Sequence, residues 1–82
     1  MNVRVLYFAG ARDACGVGEE TCALPGDVVT VRDFARFVGE RHAGLASRME
    51  SVRIARNERF ATMDERLADG DVLALIPPVA GG

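Results

Sequence analysis

Lysine is absent from this 82-residue chain, and all 10 of its basic side chains are arginines. A chain without lysine offers no side-chain amine for an isopeptide bond to another copy of itself. Cysteine is scarce too. Cys15 and Cys22 flank a Gly16-Val17-Gly18 turn, and two thiols alone form neither a four-ligand zinc set nor a Cys-x-x-Cys redox pair. No metal site is expected, and both thiols are expected to stay reduced, as cytosolic thiols do. His42 is the only histidine. It falls near the end of a predicted helix, where a partial cation is mildly favourable, so a structural or solvent role is expected of it rather than catalysis.

Long apolar runs are missing as well. Nothing approaches the ~20 residues of a membrane helix, and Met1-Asn2-Val3-Arg4 lacks the charged-then-apolar layout of a signal peptide. No membrane partner and a cytoplasmic location are therefore expected. The formal charge of -2, with arginine and acid interspersed, argues against nucleic acid, which is bound through clustered basic charge. Gly16-x-Gly18 falls far short of a phosphate-binding loop.

What is present fits one domain. About half of the residues are apolar, enough to bury one core without disulfides or metal. From Asn2 to Ala9 the chain alternates, with Val3, Val5 and Tyr7 on one face and Arg4, Leu6 and Phe8 on the other, the period of a strand. Gly10 to Gly16 has room for a turn or two of helix. Glu19 to Leu24 reads as a second strand, antiparallel to the first, ended by Pro25-Gly26-Asp27.

Thr30 is a good N-cap, and Asp33 three residues on resembles a capping box, although that position prefers Glu or Gln. Val31, Phe34, Ala35 and Val38 then recur at helical spacing, opposite an Arg36/Glu40 pair. This main helix is expected to end around Arg41 to Ala43 with Gly44 as its C-cap, and Leu45 to Met49 to add a turn. Val52 to Arg56 is a third strand, Asn57-Glu58 a tight turn into Arg59-Phe60-Ala61, and Leu67 a core anchor. Asp69-Gly70 turns the chain into Val72 to Ile76, an apolar run that a central strand can hold until Pro77-Pro78 stops it. The order strand, strand, helix, strand, short strand, strand packs as an α+β domain, a mixed sheet wrapped around one main helix. That is a β-grasp layout over residues 1–76, with 77–82 a flexible tail.

The tail is the one place for unusual chemistry. Pro77-Pro78 stiffens the exit from the last strand, and Val79, Ala80, Gly81 and Gly82 grow steadily smaller. From Pro77 the tail reaches at most ~20 Å, far enough to enter another protein's active site while the domain stays outside. A terminal glycine leaves its carboxylate without a Cβ, open to attack from either face. A free carboxylate is a poor electrophile, so its activation to an acyl-adenylate needs a nucleotide-consuming partner. The outward positions Leu6 and Phe8 on the first strand and Ile76 on the last, joined by Phe60, form a candidate docking face.

These residues carry a resemblance. The chain is similar over nearly its whole length to the small subunits of molybdopterin synthase, a family of ubiquitin-like sulfur carriers. The match lies in Val5-Leu6-Tyr7-Phe8-Ala9-Gly10-Ala11-Arg12, Asn57, Leu67, Asp69-Gly70-Asp71 and Pro77-Pro78-Val79-Ala80-Gly81-Gly82. Asp13 stands where Glu is common, and Tyr7 and Ile76 where phenylalanines often occur. The resemblance implies a cycle with no bound cofactor. An activating enzyme uses ATP to adenylate Gly82, a sulfur donor (a sulfurtransferase or desulfurase) converts it to a thiocarboxylate, and the tail enters a large subunit, in a heterotetramer. There the sulfur passes to cyclic pyranopterin monophosphate to make molybdopterin. Gly81 and Gly82 are then the reacting end, and Phe8, Phe60, Ile76, Pro77, Pro78, Val79 and Ala80 the partner-binding residues; no catalytic side chains are expected in the chain itself. Carriers for thiamine or cysteine synthesis share the fold and the diglycine, and a ubiquitin-like modifier conjugated to lysines of other proteins is a rival of another class.

Overall fold

A computed structural model describes residues 1–78; the partner-binding reading of Val79 and Ala80 and the reacting-end reading of Gly81 and Gly82 lie outside the described residues. The elements are β1 (Asn2–Tyr7), α1 (Ala9–Cys15), β2 (Glu19–Ala23), α2 (Val31–Arg41), α3 (Ala43–Ala46), a 3-10 turn (Met49–Ser51), β3 (Arg53–Arg56), β4 (Arg59–Phe60) and β5 (Val72–Ile76). The strands lie in the order β2-β1-β5-β3-β4, with β1 and β5 parallel and the other neighbours antiparallel. The expected mixed sheet around one main helix is present, and β5 is its central strand.

One face of this sheet makes the core. Val3, Val5 and Tyr7 of β1, Ile54 of β3 and Leu73 and Leu75 of β5 pack against Val31, Phe34 and Val38 of α2 and Leu45 of α3. Helices cover only this face. The apolar run of β5 is therefore not buried on both sides: Leu73 and Leu75 point into the core, while Val72, Ala74 and Ile76 alternate with them and stay half-exposed. Among the described residues no helix is long and apolar enough to cross a membrane.

Local chemistry accounts for most of the boundaries. Thr30 Oγ1 accepts from the Asp33 amide at 3.2 Å, and Asp33 Oδ2 accepts from the Thr30 and Val29 amides at 3.1 Å, so aspartate completes the capping box. Those backbone hydrogen bonds hold the Asp33 carboxyl below its usual range. Gly70 turns with φ 86, and Asn57 and Glu58 with φ 51 and 71, the mirror-image turn whose twist suits a two-residue hairpin.

Beyond one-residue trims of β2, β3 and β4, two boundaries differ from expectation. β1 stops at Tyr7 because Phe8, still extended, is the N-cap of α1 and Ala9 turns the chain with φ 47. Gly44 does not cap α2. The helix ends at His42 with φ -122, and Gly44 lies inside α3, where an added Cβ would stand 3.1 Å from the Ala14 carbonyl oxygen. That glycine is needed for close approach of α1 and α3, which local pattern does not reveal.

Candidate functional site

The uncovered face of the sheet carries the site. Register runs Leu6, Ala74, Ala55, Phe60 straight across β1, β5, β3 and β4. Side chains opposite one another on neighbouring strands share a face, so two alanines form a low floor between larger walls. The result is a depression of about 260 Å³ lined by Leu6, Phe8, Ala55, Glu58, Phe60, Val72, Ala74 and Ile76. Phe8 is 48% and Phe60 55% exposed, so neither caps the core. The structure thus brings Phe8, Phe60 and Ile76 together on one apolar surface. Ala55 and Ala74 went unnoticed in the sequence, though strand alternation from Ile54 and Leu75 points them outward.

The tail leaves from one end of this surface. Phe8 continues β1 for one more hydrogen bond, its amide donating to the Leu75 carbonyl at 3.2 Å, and this sets its ring beside the end of β5. Past Ile76, Pro77 and Pro78 border a second groove of about 570 Å³ with Ala9, Gly10, Ser47, Arg48 and Ser51. Ile76 belongs to both. Pro77 and Pro78 therefore sit where the sequence places them, at the root of the tail.

The loop before β5 is held by the Asn57 and Asp69-Gly70-Asp71 residues. Asp71, 4% exposed, accepts from Arg56 Nε at 2.7 Å, the Ala68 amide at 2.8 Å and Asn57 Nδ2 at 2.9 Å. Asn57 Oδ1 in turn accepts from the Val72 amide at 2.9 Å. Burial disfavours the Asp71 charge, but the bonds from Arg56, Ala68 and Asn57 outweigh it and hold the carboxyl low. These motif residues are structural: they tie the hairpin turn to the first residue of β5 and so fix where the tail begins.

A second polar cluster fixes the other edge. Glu20 accepts from Tyr7 Oη and from Arg41 Nε and Nη2 at 3.2 and 3.1 Å, and His42 Nε2 stands 2.7 Å from Glu20 Oε2. The His42 ring also meets Tyr7 edge-on at 5.4 Å. His42 has the structural role expected of it. Burial works against Glu20 ionising, yet the bonds from Tyr7, His42 and Arg41 prevail and hold it at about 2, while burial and the bond to Glu20 push the Tyr7 hydroxyl up. A carboxyl depressed in the fold stabilises it above the unfolded value of ~4.3, and that contribution disappears as pH falls through about 2. Glu20→Gln is expected to cost about 3 kcal/mol at pH 7 and to flatten the loss of stability between pH ~4.3 and ~2. Urea denaturation across that range checks it, and an unchanged acid slope refutes the assignment.

Neither cluster supplies chemistry at the tail root. Cys15 and Cys22 are free, and burial pushes both thiols up, away from thiolate character. Among the described residues no group of histidine, cysteine or acidic side chains is arranged to hold a metal ion. The arrangement can present an apolar surface and, beside it, Pro77 and Pro78, the root of the tail.

Comparison with known proteins agrees with this geometry. The model of the ThiS family matches residues 5–82. The molybdopterin synthase sulfur carrier subunit of Chlamydomonas reinhardtii is 37% identical over 100% of both chains, and that of Homo sapiens 31% identical over 99% of this chain and 94% of its own. Among solved structures, molybdopterin converting factor subunit 1 of Pyrococcus furiosus matches with TM-score 0.84 and 37% identity, covering 96% of this chain and 99% of that one. The small archaeal modifier protein SAMP1 of Haloferax volcanii matches over 100% of both chains with TM-score 0.87 and 30% identity. In a complex of subunits 1 and 2 of the molybdopterin-converting factor of Helicobacter pylori, the matching chain is 25% identical with TM-score 0.71, over 100% of both. The chain belongs to the ThiS family and shares its full length with that family's molybdopterin synthase sulfur carrier subunits.

Proposed function

We propose that this chain is the sulfur-carrying small subunit of a molybdopterin synthase. In this reading an activating enzyme spends ATP to adenylate the Gly82 carboxylate, and a sulfur donor displaces the adenylate to leave a thiocarboxylate. The domain docks on a large subunit through the Leu6, Phe8, Phe60 and Ile76 surface, in a heterotetramer, and the tail delivers sulfur to cyclic pyranopterin monophosphate. A thiocarboxylate suits that step because it is an anionic, polarisable nucleophile at neutral pH. The catalytic side chains belong to the partners, and the cycle runs in the cytoplasm.

One observation carries the reading: the uncovered apolar face and the root of the tail share Ile76, so a partner seated on the face has Pro77-Pro78 at its edge. The full-length likeness to sulfur carrier subunits and the two-subunit complex of the Helicobacter pylori relative support it. The likeness to SAMP1 favours a second reading, conjugation of Gly82 to lysines of other proteins.

Intact-mass analysis after incubation with the activating enzyme, ATP and a sulfur donor separates the two. Replacement of one oxygen by sulfur at the C-terminus, followed by transfer when large subunit and pterin precursor are added, is the expected result. Unmodified protein, or adducts on lysines of other proteins with no sulfur transfer, overturns the reading.

A further inference from the structure

Two arginines stand on either side of the root of the tail. Arg53 is the register partner of Ile76 across β3 and β5, is exposed, and holds its guanidinium carbon 3.8 Å from the centroid of the Phe60 ring. Arg48 lines the groove of Pro77 and Pro78, and its Nη1 donates to the Gly10 carbonyl at 3.3 Å. The bare Cα of Gly10 makes the room: a Cβ there would lie 3.1 Å from that nitrogen.

Neither cation is neutralised among the described residues. Arg4, Arg32, Arg41 and Arg56 each pair with a carboxylate; Arg53 and Arg48, like Arg12, Arg36, Arg59 and Arg66, form no such pair among the described residues, but Arg53 is held by an aromatic ring and Arg48 by a backbone oxygen. Both contacts fix a guanidinium in place without cancelling its charge, so the donors are pre-organised. Glu58, the acid of the trough, lies at the β3–β4 turn.

An exposed arginine in water needs no partner. These two do not stay in water on the docking reading, because a protein that covers Phe60 also covers the guanidinium stacked on it, and one that receives the tail past Pro77 closes over Arg48. A charge desolvated without a counter-charge is strongly disfavoured. Resting on that reading, we propose that the mouth of the large subunit's tail channel presents carboxylates to Arg53 and Arg48. Each side of the tail root is then held by an ion pair, and Pro77-Pro78 is aimed into the channel. The apolar face supplies affinity; the two arginines supply the register of the docked domain and steer its approach.

Stopped-flow association with the purified large subunit, at about 50 and about 300 mM NaCl, tests this. The variants are Arg53→Gln, Arg48→Gln, the double variant, Lys at both positions, and Phe8→Asp; circular dichroism melting confirms that each is folded. The double Gln variant is expected to associate roughly tenfold more slowly at low salt, with a flattened salt dependence, and Lys at both positions to restore most of the rate. Wild-type association by the double Gln variant, alongside loss of binding by Phe8→Asp, overturns the proposal and leaves the docking face standing. A double Gln variant that only dissociates faster, unrescued by lysine, means that Arg53 merely supports Phe60, which also overturns it. If Phe8→Asp binds as well as wild type, the docking reading fails and the proposal with it.

Discussion

Deleting Gly82 is expected to abolish sulfur transfer while leaving the melting temperature unchanged. The shortened chain still ends in a carboxylate, on Gly81, so what is lost is reach rather than a functional group. One residue of extended chain is ~3.5 Å. Reacting atoms must come within about 3–3.5 Å of each other in a productive complex, so a shortfall of a whole residue cannot be taken up without undocking the domain. Stability is unaffected because the core, the polar clusters and both grooves are built from residues before Val79. Product formation with purified large subunit and pterin precursor, under single-turnover conditions, measures the loss. Full activity in the truncated protein removes the tail from the mechanism. Gly82→Ala keeps the length and adds one Cβ at the reacting carbon; a smaller loss there separates reach from access.

How much of this was legible in the sequence follows the range of the interactions. Features set within a few residues were readable. The Thr30/Asp33 box, the Asn57 and Asp69-Gly70 turns and the 3.6-residue period of α2 are local, and each lies where its chemistry puts it. So does the alternation that points Phe8 away from Val5 and Tyr7. Features set by register or by close approach of distant segments were not. Gly44 looks like a helix stop until Ala14 is seen against it. Glu20 looks like a surface acid until Arg41 and His42 arrive from the end of α2. Ala55 and Ala74 are unremarked small residues in two separate strands, and only pairing of β3 with β5 turns them into the floor of a trough. Arg53 and Arg48 belong to the same class. Their surroundings come from Phe60 in one case and Gly10 in the other, so nothing in the local pattern separates them from the chain's other arginines.

Phe8→Asp is expected to weaken binding to the large subunit at least about thirtyfold without weakening the fold, and the reason for the second half lies in α1. Phe8 is the N-cap of that helix, with φ -115 and ψ 151, and makes no side-chain capping bond. Aspartate is among the best N-cap residues, since its carboxylate accepts from the first free amides and favours the positive end of the helix dipole. The replacement removes a half-exposed ring, opens no cavity in the core, and gives α1 a cap that it lacks. Binding responds in the opposite direction. An aromatic anchor at the centre of an interface contributes about 2 kcal/mol or more, which is the thirtyfold, and a carboxylate buried on an apolar surface costs more still. Isothermal calorimetry with the large subunit, paired with thermal melting of the free domain, reads both effects. Unchanged affinity takes the Phe8, Phe60 and Ile76 surface out of the mechanism. A fall in melting temperature shows that Phe8 supports the fold and that its exposed ring is not a docking anchor alone.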